Sequence, residues 1–301
     1  MTKYVLCRPE GGLNDILCQI EKCCRYGEQY NRTVIVDTNH TNARHFRDEF
    51  SRYFYPKHKK LFLSADAIKP KLELMNVYPN GVQDKLNDYN TKWRGDWRGK
   101  LLEAESGQLL TFDFSKLYPE QLLLHHSSGG GTDSLFALLR IGLRPHLVKK
   151  LSERLNKIGG AYDAVHVRNT DYQTDYKAFL DNYSGSSHRP LFLATDNISV
   201  VKNFKRALGH DRVFSFSDLP EKPTILHSEK VSKDTTFRRN SEAILDLLML
   251  SLAVRLKTFQ VNANPIGAKV SGFSKLASSL WESKILIKNL LSDTSITFGL
   301  N

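Results

Sequence analysis

The sequence is poor in sulfur and has no long apolar stretch. Its four cysteines among 301 residues are Cys7, Cys18, Cys23 and Cys24. None forms a Cys-x-x-Cys pair, and the adjacent Cys23 and Cys24 are badly spaced for a metal. This predicts small buried thiols in a reducing compartment, not a disulfide framework. No run approaches the ~18 apolar residues that span a bilayer. The opening Met1-Thr2-Lys3-Tyr4-Val5-Leu6-Cys7 turns polar too soon for a signal peptide and reads as a first strand. These absences predict a cytoplasmic protein. There is also no repeat, no low-complexity segment, no P-loop and no Gly-x-Gly-x-x-Gly.

Positive charge, by contrast, is plentiful. Lys and Arg number 43 against 32 Asp and Glu, a net charge of +11. Such a surplus favours an acidic partner: a nucleotide sugar, an anionic acceptor, the anionic inner face of a membrane, or nucleic acid. The length suffices for two domains of ordinary size.

The most informative stretch is Tyr162-Asp163-Ala164-Val165-His166-Val167-Arg168-Asn169-Thr170-Asp171-Tyr172. It reads as a buried strand running into a polar turn. His166 and Arg168 are two apart and share a strand face. An imidazole and a guanidinium at the carboxyl end of a strand make poor core but a good anion site, because open α/β sheets bind ligands there. The planar fork of Arg168 matches two phosphate oxygens. Asp171 could orient that fork or cap a following helix. A local Arg168–Asp171 ion pair with His166 as a core histidine is the structural alternative.

Other stretches fit the same reading. Arg8-Pro9-Glu10-Gly11-Gly12-Leu13-Asn14-Asp15 joins a strand to a helix, a plausible anion cradle because glycines allow close approach and helix N-termini favour negative charge. Asn14 or Asp15 as an ordinary N-cap is the alternative. Arg32–Asp37 completes a βαβ unit and implies a parallel sheet; the segment 37–42 is a candidate to face an acceptor. Leu191-Phe192-Leu193-Ala194-Thr195-Asp196-Asn197 is a strand with a polar end. Residues 221–239 read as an irregular loop, Ser241–Ala253 as an apolar helix interrupted by Asp246, and Phe259–Asn262 as a strand. An unpaired buried carboxylate costs several kcal/mol, so Asp246 needs a partner. Val270-Ser271-Gly272-Phe273-Ser274 then opens another helix. Ser134–Leu143 reads as a helical patch, and Pro145 starts a helix that Gly159-Gly160 stops. A domain boundary is placed near residue 144.

His-x-Arg-x-x-Asp at a strand end resembles the signature of the inverting fucosyltransferase superfamily. That group holds the α1,2- and α1,6-fucosyltransferases, the protein O-fucosyltransferases and the rhizobial chitooligosaccharide fucosyltransferase. Many members carry a second Arg where this chain has Asn169. The Gly-rich opening, the Leu-Arg-Pro entry at residues 143–145, the Ala-Thr-Asp segment, the Ile-Leu-Asp helix and the Phe-Ser loop resemble the same family and occur in its order.

The resemblance implies an α/β protein of two Rossmann-like domains facing across a cleft, the GT-B type. Residues 1–143 would take the acceptor and 144–301 the nucleotide sugar. It implies inverting transfer of a sugar, L-fucose from GDP-fucose, onto a glycan or glycolipid hydroxyl, with no cofactor. The sequence shows no Asp-x-Asp metal site and no His cluster, so no metal is expected. Arg168 and Ser274 would offset charge on the leaving diphosphate. Asp15 is the first choice for the base, with Asp171 and Asp175 as alternatives. Gly11, Gly12, Asn14, His166, Thr195, Asp196, Ser271 and Phe273 would line the donor, and Asp246 would meet its purine.

Two other classes compete. Trp93, Arg94, Trp97 and Arg98, with Lys57–Lys60, could bind single-stranded nucleic acid, although no nucleic-acid partner is expected under the first reading. Ser128-Gly129-Gly130-Gly131-Thr132-Asp133-Ser134 resembles the loop of ATP pyrophosphatases, an adenylating chemistry, with one residue too many before Asp133.

Overall fold

The computed structural model describes residues 2–94, 100–171, 173–183, 187–222, 229, 231–262 and 270–292. The chain divides into two compact units, Met1–Arg144 and Pro145–Asn301.

Unit 1 begins with β1 (Tyr4–Glu10), whose residues from Val5 onward are all buried. Val5–Cys7 is the apolar run that a strand covered on both faces requires, while Arg8 and Glu10 towards its carboxyl end are buried charged residues. The helix α1 (Leu13–Gln29) buries Ile16, Leu17, Ile20, Cys23 and Cys24 on one face. All four cysteines are buried and free. Next come β2 (Thr33–Val36), β3 (Phe54–Pro56), β4 (Leu61–Phe62), α2 (Lys69–Leu72), β5 (Val77–Tyr78), β6 (Thr91–Trp93) and β7 (Leu101–Glu103). The unit closes with β8 (Leu122–Ser128), α3 (Ser134–Leu139) and β9 (Ile141–Leu143). Its main sheet has the order β4-β2-β1-β8-β5, parallel throughout. Leu6, Ile35, Leu72, Val77, Leu122 and Leu124 form one core against it.

Unit 2 comprises α4 (Pro145–Ile158), β10 (Asp163–Val167), α5 (Lys177–Tyr183), β11 (Leu191–Thr195), α6 (Ile198–Leu208), β12 (Val213–Phe214), α7 (Lys233–Leu252), β13 (Arg255–Thr258), α8 (Gly272–Glu282) and α9 (Lys284–Leu291). Its parallel sheet has the order β12-β11-β10-β13. Val165, Val167, Leu191, Leu193, Val200 and Phe204 build the core.

In both sheets the strand order reverses beside the first strand of the unit. In unit 1 that point lies between β1 and β8; in unit 2 it lies between β10 and β13. At such switch points the crossovers diverge to opposite faces and leave a crevice beyond the carboxyl ends of the strands.

Three sequence expectations are corrected. The helical patch 134–143 splits into α3 and the strand β9, which pairs antiparallel with β3. The strand expected at 259–262 is instead Arg255–Thr258. It is an edge strand with partly exposed residues, so charged side chains alternate along it, whereas Phe259 turns inward onto Phe179. The irregular loop 221–239 already contains the start of α7, where the Ser232 side chain caps the helix by accepting from the Thr235 N–H. That first half is polar and half exposed, so no apolar period announces it.

Among the described residues, no helix is long and apolar enough to cross a membrane.

Candidate functional site

The unit 2 site grows from the end of β10. His166 is buried in the strand, and Arg168 emerges just beyond it. His166 Nδ1 and Ser274 Oγ share a hydrogen bond at 2.7 Å. The His166 ring lies 5.0 Å from that of Phe273. Burial, followed by the neighbouring Arg168 charge, pulls the imidazole down to about 3, so it is neutral at any working pH. Ser271 caps α8: its Oγ accepts from the Ser274 N–H at 3.1 Å and lies 3.0 Å from Ser274 Oγ. This brings His166, Ser271, Phe273 and Ser274 together at a helix N-terminus beside the switch point, a geometry suited to an anion.

Arg168 is gripped by Asp171. Nε donates to Oδ1 at 2.8 Å and Nη2 to Oδ2 at 2.6 Å. The Arg168 side chain stays about 24% exposed, so the local ion pair forms without burying it. Asp196 holds the loop between them: it accepts the Asn169 N–H at 2.7 Å and the Thr170 hydroxyl at 2.6 Å. Asn197 donates to the Asn169 carbonyl at 2.8 Å while capping α6. Thr195 is buried, and its hydroxyl accepts from the Asn197 N–H. In this structure, then, Thr195 and Asp196 brace the Arg168 turn. Asp175 accepts from the Lys177 N–H at the start of α5. Tyr172 lies outside the described residues.

Asp246 is not left alone. Arg154 Nη1 donates to its Oδ1 at 2.9 Å and Ser217 Oγ to its Oδ2 at 2.6 Å. The partner that the sequence leaves to a purine is therefore supplied, at least for these two bonds, by the protein. Burial raises this carboxyl to about 6 against the pull of Arg154 and Ser217; Glu242, which shares the same guanidinium, adds to the rise. Nothing in the spacing of α4 marks Arg154, a lone Arg on an amphipathic face, as that partner.

In unit 1, two glycine loops meet at the switch point. Gly11 has φ +109°, and a Cβ there would lie 2.6 Å from the Asp15 carboxylate. Asp15 Oδ2 accepts the Gly12 N–H at 3.1 Å: the N-cap position is Gly12, not Asn14 or Asp15, and Asp15 reaches back to it from the first turn of the helix. Burial raises the Asp15 carboxyl, opposed by that N–H and by His45. From the other loop, the Gly131 carbonyl accepts from Asn14 Nδ2, and Ser134 donates to Asn14 Oδ1 at 2.8 Å. A Cβ on Gly130 would lie 2.4 Å from Asp15 Oδ1. Asp133 pairs with Arg25 at 3.2 Å. The Gly129–Gly131 loop is thus packed on the start of α1.

A cavity of about 770 Å³ opens beside this junction. Lys22, Tyr78, Lys100, Phe112, Tyr118 and Gly130 are among the residues that line it.

The expected absence of a histidine cluster is also corrected. Glu10, His40 and His126, far apart in sequence, are buried with their ligating atoms within 4.8 Å of one another. Burial pushes the Glu10 carboxyl up, but hydrogen bonds from His126 and His45 and the Arg44 N–H outweigh it and hold it at about 2. The signal was present only as a Glu closing one strand, a His after the next and a His inside a third, and pairing order alone joins them. Of the Trp–Arg stretch, Trp93 is exposed, while Trp97 and Arg98 lie outside the described residues. Lys59 and Lys60 are exposed and Lys57 is partly buried, as suits a largely solvated loop.

No family model matches the chain, and no curated protein does. Solved structures do. The fucosyltransferase NodZ from Bradyrhizobium is 14% identical, with 93% of this chain and 94% of NodZ covered, at a TM-score of 0.61. NodZ α-1,6-fucosyltransferase soaked with GDP-fucose gives 14% identity, 93% of both chains and a TM-score of 0.60. POFUT1 in complex with GDP gives 12%, 93% of this chain, 96% of POFUT1 and 0.55. With its two parallel α/β units, the chain has the GT-B fold of these fucosyltransferases.

Proposed function

We propose that this chain is an inverting glycosyltransferase that moves a sugar, L-fucose from GDP-fucose, onto a glycan or glycolipid hydroxyl. One observation carries the reading. At the switch point of unit 2, a permanently cationic fork, a neutral imidazole, two serines and a helix N-terminus sit together. These are the groups a diphosphate needs, and structures with this fold contain GDP or GDP-fucose.

In the proposed reaction the acceptor oxygen attacks the anomeric carbon from the face opposite the diphosphate. The bond to the diphosphate oxygen breaks, and the acceptor proton passes to a carboxylate. Arg168 and Ser274 stabilise the negative charge on the departing group, so the transfer step needs no metal and no cofactor. Asp15 is the assigned base because it stands at the glycine-loop junction beside the acceptor cavity, whereas Asp171 is held by two bonds from Arg168. Gly11, Gly12 and Asn14 shape the Asp15 loop. Residues 1–144 take the acceptor, for which the cavity lined by Tyr78, Phe112 and Tyr118 offers aromatic faces to sugar rings and Lys22 and Lys100 offer charge. Residues 145–301 take the donor. Thr195 and Asp196 act by holding the Arg168 turn, and Asp246 is assigned to the purine end through the polar cluster it forms with Arg154 and Ser217. Such an enzyme would work on the cytoplasmic side, where its charge suits an anionic membrane face.

The test is a ligand panel followed by turnover. GDP should raise the melting temperature more than UDP, ADP or an oligonucleotide, and GDP-fucose should then be consumed with a glycan acceptor. Stabilisation by the oligonucleotide alone, or ATP cleavage to pyrophosphate, would replace this reading with one of the two competing classes.

A further inference from the structure

Three side chains of unit 1 that ligate metals well converge from separate elements. Glu10 ends β1, His40 lies in the turn after β2, and His126 sits within β8. Glu10 Oε1 is 3.3 Å from His126 Nε2 and 3.7 Å from His40 Nε2. Ligand atoms held ~2.0–2.1 Å from a tetrahedral zinc stand about 3.3–3.4 Å apart, so both separations are close to those of a zinc ligand set.

The state of the two imidazoles supports the same conclusion. His126 has its other ring nitrogen, Nδ1, 2.8 Å from the Tyr89 hydroxyl, which is how an outer hydrogen bond fixes the tautomer and aim of a ligating histidine. His40 is buried, and neither of its ring nitrogens has a hydrogen-bond partner among the described residues. A buried polar atom left unpaired is costly, and ligation would satisfy Nε2. Of the other groups around the cluster, Arg8 is paired with Asp37 at 2.9 Å and also touches Tyr89, so its charge is largely offset; Lys69 adds positive potential at His40. The Arg44 N–H meets the Glu10 carboxylate. His45 Nδ1 lies 3.2 Å from Glu10 Oε2, and its side chain is 35% exposed, so the cluster has one edge toward solvent.

We propose that Glu10, His40 and His126 bind a single zinc ion that ties together β1, β8 and the turn after β2, with the fourth position taken by water. The ion is structural and takes no part in the proposed transfer step, and this proposal does not rest on the glycosyltransferase reading.

The test uses the full chain, stripped with a chelator and titrated with zinc against a chromophoric competitor, then loaded with cobalt for absorption spectroscopy. One zinc per chain is expected, with a cobalt spectrum free of any thiolate charge-transfer band, because the four cysteines are not ligands. His40→Gln and His126→Gln should each weaken binding by more than about a hundredfold. Tyr89→Phe should weaken it by roughly tenfold or more, the scale of an outer-shell partner, and it remains informative if the histidine variants fail to fold. Zinc should also raise the melting temperature of the wild-type chain. Absence of tight binding in the wild type, a thiolate band, or affinity unchanged in a folded His40→Gln would each overturn the proposal.

Discussion

Arg168 and Asp171 form a two-bond ion pair just beyond the end of β10, and the proposed transfer step turns on what that pair does. A guanidinium held from one edge by a carboxylate is aimed, not quenched, provided it remains open to a ligand, and this side chain is about a quarter exposed. Removing a preorganised charge of this kind costs roughly 2.7–4 kcal/mol in the transition state. Arg168→Ala should therefore lower turnover by on the order of a hundredfold or more, measured in single turnover with the donor saturating. Arg168→Lys should recover only part, since it keeps the charge and loses the fork. Near-normal rates in Arg168→Ala would leave Asp171 and Arg168 as a surface ion pair. Gly11 is equally specific. An alanine at φ +109° is strained, and its Cβ would press on the Asp15 carboxylate. Gly11→Ala should cost about 1–3 kcal/mol in chemical denaturation and reduce transfer more than Gly12→Ala, whose Cβ meets nothing closer than 3.8 Å. His-x-Arg-x-x-Asp was legible in the sequence because all its members lie within six residues. The bracing of that turn by Asp196 and Asn197 was not, since those contacts join neighbouring strands.

On the scale of single elements, α7 makes the clearest prediction. Its Asp246 sits among leucines with a carboxyl raised to about 6 from an ordinary 3.8. In the unfolded chain the same carboxyl holds its proton only below about 4. Between about pH 4 and 6 the folded state therefore binds more protons, and stability falls as pH rises through that window. A displacement of about two pH units corresponds to about 3 kcal/mol. The difference in unfolding free energy between wild type and Asp246→Asn, followed across this range, should grow in favour of the variant as pH rises. A difference that stays flat would mean that Arg154 holds the carboxylate fully ionised. The apolar half of α7 was readable from its leucines, but its polar first half and the Arg154 partner were not. A helix announces itself in sequence only where one face is continuously apolar, and an ion pair between α4 and α7 leaves no local trace. The strand β13 was misplaced for a related reason: an edge strand alternates charged and half-buried residues and lacks the apolar block of a central one.

For the molecule as a whole, the division at Arg144–Pro145 gives each proposed substrate its own unit. A ligand stabilises only what it binds, by about 2.7 kcal/mol at a hundred times its dissociation constant. Calorimetry with saturating GDP should raise the transition assigned to residues 145–301. If the rise fell only on residues 1–144, the assignment of donor and acceptor would be reversed. The net charge of +11 adds a long-range pull on a dinegative donor, so the GDP effect should weaken as salt increases.

Sequence alone determined the elements whose signals are local. These are the βαβ opening, the Pro145 helix, the apolar strands at 163–167 and 191–195, and the six-residue motif that begins at His166. Each depends on periodicity, turn chemistry or short spacing, which neighbouring residues specify among themselves. Tertiary structure alone decided the strand orders, and with them the two switch points. It also decided that Glu10, His40 and His126 share one buried pocket and that Asp246 belongs to Arg154. Those outcomes depend on which strands and helices become neighbours, and that follows from burying the apolar faces of the whole unit together rather than from any one stretch of chain.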